Sequence, residues 1–104
     1  MDKNYFLKTR ILDGGMGQQL LAKGLKPKGS LWSATALVYE KYHQLVIDAH
    51  LDFIKSGADV MVTNNFAARR IRMVQNKVDE HFNYANEKAG ELALKAKEML
   101  WAIQ

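Results

Sequence analysis

Two short stretches of the chain are apolar without alternation, and each runs into glycine or polar residues. Arg10-Ile11-Leu12-Asp13-Gly14-Gly15 ends in paired glycines, and Asp59-Val60-Met61-Val62-Thr63 is a compact run of β-favouring residues followed by Asn64-Asn65. Unbroken apolar runs bounded by turn residues predict parallel strands covered on both faces. Elsewhere the period is helical. Met16, Leu20 and Leu21 predict a short helix over 16–23 that stops at Gly24, and Tyr42, Val46, Ala49 and Phe53 predict an amphipathic helix over 40–56 closed by Gly57. The segment 24–33 sets Pro27, Gly29, Ser30 and Ser33 around Leu31-Trp32, a pattern too irregular for an element of its own, and predicts a loop. Ala67, Ile71, Val74 and Val78 predict a short basic helix. Ala85, Ala89, Leu92, Ala96, Met99 or Leu100, and Ile103 predict a long one.

The predicted order is strand, helix, loop, helix, strand, helix, helix, with no repeat and no low-complexity segment. That is α/β organisation in one domain over 1–104. Strands joined by a long helical crossover must be parallel, and a right-handed crossover puts the ends of both on one rim. Ligands of parallel α/β folds bind beyond such strand ends.

Composition narrows the chemistry. The chain is 48% hydrophobic and 25% charged, with a single proline, as expected of a globular chain that folds. Fifteen Lys and Arg against eleven Asp and Glu give a net charge of +4, which serves solubility and falls short of the dense patch of a nucleic-acid binder. With no cysteine there is neither a disulfide nor a thiolate metal site, so a metal would need His and carboxylate. The polar segment 1–8 is unlike a signal peptide, and no run has the length of a membrane span, which makes the cytoplasm the default location and no membrane partner the expectation.

The candidate site residues lie at the two strand ends and in the loop. Asp13 can accept a charged hydrogen bond from a ligand ammonium, with Gly14 and Gly15 letting the ligand approach the backbone; alternatively Asp13 caps the following helix. Thr63 and Asn65 can line the same rim or serve as turn formers. Trp32 offers a π face to a substrate or to a cationic methyl donor, or else anchors the loop in the core. Gly14-Gly15-Met16-Gly17 precedes a helix but matches neither nucleotide-binding glycine pattern. His43 and His50 stand seven apart on one helix, too far for the i, i+4 pair of zinc helices, and His81 is isolated among polar residues, so partly buried or solvated histidines are expected and no metal site. Arg69, Arg70 and Arg72 read mainly as a solvated face.

These stretches together resemble one family. Ile11-Leu12-Asp13-Gly14-Gly15-Met16-Gly17, Leu31-Trp32-Ser33-Ala34, His50-Leu51-Asp52-Phe53-Ile54 through Gly57-Ala58-Asp59, and Val62-Thr63-Asn64-Asn65-Phe66 are similar to segments of the homocysteine S-methyltransferases, in the family's order and at its spacing. The resemblance continues into the helix over 86–96. It implies a (β/α)8 TIM barrel that moves a methyl group from betaine, S-methylmethionine or a similar donor to the thiol of homocysteine, giving methionine, with zinc favouring the thiolate. It also implies roles for individual residues: Asp13 at the homocysteine amino group, Gly14 and Gly15 as the backbone beside it, Thr63 as a polar wall, and Trp32 near the methyl donor. Two departures stand out. Gln19 replaces an acidic residue common in the family, which bears on helix-end contacts, and the cysteines that bind zinc in the family have no counterpart here.

A barrel of ~250 residues uses ~30 for each βα unit, so the resemblance implies the incomplete front of a barrel, two parallel strands with flanking helices, ending before the third strand. An enzyme piece that is inactive alone is one expectation. A non-catalytic module that pairs with itself or a complementary piece through an exposed strand edge is the other. A small basic RNA-binding protein is a third reading, carried only by the stretch 69–77 and the charge.

Overall fold

The computed structural model describes residues 4, 7 and 9–103, with side chains as far as residue 99. Most of the segment 1–8, and the side chains of Leu100 and Ile103, lie outside the described residues. The described chain is helical: α1 (Met16–Ala22), α2 (Thr35–Val38), α3 (His43–Lys55), α4 (Arg70–Gln75) and α5 (Phe82–Ile103), with 3-10 helices at Gly29–Ala34, Glu40–Tyr42 and Asp79–His81. The predicted loop thus folds locally, running as a 3-10 helix straight into α2. Leu31 and Ser33 of that segment are buried, and so are Ala34, Thr35, Ala36 and Leu37 just after it, for which no element was predicted.

Three helices stop by the same device. After α1 the Leu25 N–H reaches the Leu20 carbonyl at 2.9 Å and the Gly24 N–H the Leu21 carbonyl at 3.1 Å, with Gly24 at φ 105. After α3, Ala58 bonds to Phe53 and Gly57 to Ile54, both at 3.0 Å, with Gly57 at φ 109. This paired closure needs a left-handed residue just past the helix, which glycine adopts without a Cβ penalty. After α4 the same two bonds form, Val78 to Met73 at 2.9 Å and Lys77 to Val74 at 3.0 Å, but the left-handed residue is Lys77 at φ 59.

The core lies where α2 and α3 meet α5, with α1 packed against α3. Ala85, Ala89, Leu92 and Ala96 form one face of α5 at steps of four, three and four, and all four are buried. Three alanines on that face let the helix axis come close to α3, whose Val46, Ile47 and Ala49 lie opposite along with Leu20 and Leu37. Gln19 adds a polar tie between α1 and α3, its amide donating to the Asp52 carboxylate at 2.8 Å beside Lys23 at 2.7 Å.

The expected pair of parallel strands is not formed, and with it the α/β fold class and the incomplete (β/α)8 barrel are overturned: the described residues contain no strand. What remains is a single parallel bridge between Leu12 and Val60. The Val60 N–H donates to the Ile11 carbonyl at 3.1 Å and the Asp13 N–H to the Val60 carbonyl at 3.0 Å, the correct start of a parallel ladder. The next rung is taken by a side chain. The Val62 N–H donates to the Asp13 carboxylate at 2.9 Å where a ladder would use the Asp13 carbonyl. On the other side the Ile11 N–H donates to the Asp59 carboxylate, also at 2.9 Å. The faces are open as well, with Ile11, Leu12 and Val62 each more than half exposed. An apolar run propagates as a strand only when neighbours take its remaining rungs and a layer covers its faces. Here neither condition is met, so the edge expected to pair with another chain does not exist as a strand edge.

Candidate functional site

The bridge still brings the two polar segments together, and a cleft of about 430 Å³ opens beside it. Leu12, Asp13, Gly14, Met16 and Gly17 form one wall, Trp32 and Ser33 a second, and Val62, Thr63, Asn64 and Phe66 a third. Of the residues singled out in the sequence, Asp13, Gly14, Thr63 and Trp32 meet here. Gly15 and Asn65 do not line the cleft.

Among the described residues, Asp13 is the single charged side chain on these walls. The alternative that it caps α1 is not realised, since α1 has Gly15 at its N-cap and no side-chain cap. The Asp13 carboxylate instead takes the Val62 N–H, which locks the first wall to the third. Gly14 earns its place by space: a Cβ there would stand 2.8 Å from the Phe53 ring of α3. Nothing comparable constrains Gly15, where the nearest contact would be 3.9 Å away on Gln18.

Trp32 is held by an unusual backbone. With φ 53 and ψ −128 it sits in a region that side chains with a Cβ avoid, and this turns its indole outward while Leu31 and Ser33 on either side are buried. The indole lies over Gly17, where a Cβ would approach its nitrogen to 2.5 Å. Trp32 is therefore a cleft wall, 40% exposed, and not a core anchor.

On the third wall, Thr63 donates its hydroxyl to the Asn65 side-chain carbonyl at 2.8 Å. The Asn65 amide in turn donates to Asn86 of α5 at 3.1 Å, which ties this segment to the core. Asn64, not picked out as a site residue, is buried and donates its amide to the Ser33 carbonyl at 3.1 Å, closing the second wall against the third. Phe66 was also missed, and it lines the cleft at 81% exposure with the Arg69 guanidinium 5.2 Å from its ring.

The other cations disperse. The Arg70 guanidinium sits 4.2 Å from the Phe82 ring and Arg72 donates to the Ser30 carbonyl at 3.0 Å, so the three arginines face three different partners. The three histidines are likewise separate. His43 bonds the Leu37 carbonyl at 2.9 Å, His81 lies beside Glu80, and His50 is fully buried, against the expectation of a partly buried or solvated ring. Burial lowers the pKa of His50, and the nearby negative charge of Asp13 opposes part of that shift. Among the described residues no group of three His, Cys, Asp or Glu could hold a metal, so the zinc implied by the resemblance finds no ligand set here. No helix among them is long and apolar enough to cross a membrane.

A sequence profile of the homocysteine S-methyltransferases matches residues 10–102. The chain belongs to the homocysteine S-methyltransferase family. The homocysteine S-methyltransferase of Escherichia coli (strain K12) is 36% identical over 89 residues, covering 85% of this chain and 28% of that protein. Homocysteine S-methyltransferase 1 of Arabidopsis thaliana is 29% identical over 92 residues, covering 88% and 28%. Homocysteine S-methyltransferase 2 of Zea mays is 32% identical over 91 residues, covering 86% and 26%. The chain thus spans little more than a quarter of the length of these methyltransferases. No solved structure matches it. Of the four segments that carry the family resemblance, three supply the walls of the cleft, and the fourth supplies Phe53, whose ring lies against Gly14.

Proposed function

We propose that the cleft is the amino-acid side of a homocysteine S-methyltransferase site, with Asp13 holding the ammonium of homocysteine and Trp32 and Phe66 facing an onium methyl donor such as betaine or S-methylmethionine. The observation that carries this reading is the solitary charge: a mainly apolar cleft whose only charged side chain among the described residues is Asp13, with one of its oxygens already bonded to Val62. A ligand ammonium placed on the second oxygen makes a charge-assisted hydrogen bond in a partly desolvated setting. The aromatic faces of Trp32 and Phe66 favour a cationic methyl group through their quadrupoles.

Transfer moves a methyl carbon from the onium centre to sulfur. The new carbon–sulfur bond forms as the bond between the methyl carbon and the onium atom breaks, that atom keeps the bonding pair and loses its positive charge, and the thiol proton is released. These residues bind and orient; the chain covers 28% of the Escherichia coli relative, and turnover belongs with the remainder of such an enzyme. The chain alone is expected to bind homocysteine without methylating it.

Titrating the chain with L-homocysteine while following the Trp32 indole and Val62 amide NMR signals tests this. Both signals are expected to move in wild type. In Asp13→Asn, which keeps an acceptor for Val62 but loses the charge, affinity is expected to fall about 10-fold or more. An unmoved Trp32 signal in wild type, or unchanged affinity in Asp13→Asn, would refute the assignment.

A further inference from the structure

α3 carries a histidine that ligand binding as described leaves unused. His50 is 0% exposed, and among the described residues neither ring nitrogen has a hydrogen-bond partner. An imidazole carries at least one N–H in either charge state, so a buried donor is kept without an acceptor where an apolar side chain of similar size would fit more favourably.

Its place in the fold suggests what the donor is for. His50 stands three residues before Phe53 on α3, and positions three apart share a helix face. The Phe53 ring lies against Gly14, closely enough that a Cβ on Gly14 would come within 2.8 Å of it. That face of α3 therefore backs the Asp13-Gly14 segment, on the side away from the cleft, and Asp13 is near enough for its charge to act on the imidazole. On the cleft side of the same segment, the carboxylate has a single anchor, the Val62 N–H at 2.9 Å.

We propose that His50 is a positioning residue for Asp13, its neutral imidazole donating an N–H to the Asp13 carboxylate from behind when an ammonium ligand occupies the cleft. The carboxylate is then gripped by Val62 and His50 together while it faces the ligand. Hydrogen bonds of this supporting kind commonly tighten only in the ligand complex. This inference rests on Asp13 being the ammonium acceptor.

The test compares two ligands across three proteins. L-Homocysteine carries the ammonium and 4-mercaptobutanoate lacks it; the proteins are wild type, His50→Leu and His50→Gln. Removing the orphaned donor leaves the unfolding midpoint of His50→Leu equal to or above that of wild type, while its affinity for homocysteine falls about tenfold and that for 4-mercaptobutanoate is unchanged. His50→Gln, which keeps an N–H donor, restores most of the homocysteine affinity. In wild type the His50 ring N–H proton shifts downfield when homocysteine is added, a readout that needs no variant to fold. Equal loss of both ligands in His50→Leu, full retention of homocysteine affinity, or a ring signal indifferent to homocysteine each overturns the inference. If wild type binds homocysteine and Asp13→Asn does not, but His50→Leu matches wild type, only the role of His50 falls. If wild type binds neither ligand, the assignment of the cleft falls with it.

Discussion

The indole nitrogen of Trp32 stands 2.5 Å from the position a Cβ on Gly17 would occupy, so the second wall of the cleft rests on the bare backbone of the first turn of α1. The contact is possible because Trp32 turns outward at φ 53, between two buried neighbours.

Gly17→Ala therefore acts on the cleft more than on the helix. Alanine is the better helix former by about 1 kcal/mol, which offsets part of the clash. The indole must shift, and the expected outcome is a net loss of stability of about 1 kcal/mol or less with a large change in the Trp32 indole NMR signal and weaker binding of homocysteine. An unchanged Trp32 signal in Gly17→Ala would show that the indole does not lie on this glycine.

Among the described residues, Lys77 is the one left-handed closing residue after a helix that is not glycine, where Gly24 and Gly57 fill the equivalent places. Its φ of 59 carries a Cβ penalty of about 1–2 kcal/mol, against a loss of about 0.5–1 kcal/mol from the greater freedom of glycine in the unfolded chain. Lys77→Gly is expected to stabilise the protein by about 0.5–1 kcal/mol in denaturant unfolding. A destabilised Lys77→Gly would mean that the lysine side chain contributes more than its backbone costs.

His50 sets a pH dependence. Its pKa is lowered from 6.5 in the folded protein by burial, with Asp13 opposing, so the unfolded chain binds its proton more readily. Stability is then fully present above about pH 6.5 and declines as pH falls from there toward the lowered folded value. Unfolding midpoints measured between pH 7.5 and 5 should decrease in wild type and stay flatter in His50→Leu over the same range. Parallel curves for the two proteins would remove His50 as the cause. The Asp52 carboxyl, held below its usual value by bonds from Lys23 and then Gln19, loses its contribution only in more acid solution.

The sequence by itself determined α1, α3 and α5, and where the first two stop. The spacing of Val46, Ala49 and Phe53, or of Ala85, Ala89, Leu92 and Ala96, is a local property of the chain, and Gly24 and Gly57 permit a left-handed turn that most other residues resist. Four short segments were also enough to identify the family, because side-chain identity at fixed spacing survives without knowledge of the fold. Part of the cleft lining was legible for the same reason, since Asp13, Gly14, Trp32 and Thr63 are distinctive residues at the ends of distinctive runs. What only the tertiary structure decided was pairing and burial. Residues 10–13 and 59–62 have the composition of strands, but a strand is made by neighbours and cover, and the carboxylates of Asp13 and Asp59 take the rungs that neighbouring backbone would have taken. The outward turn of Trp32, the burial of Asn64 and the complete enclosure of His50 are set by packing between segments distant in sequence, so no local pattern carries them.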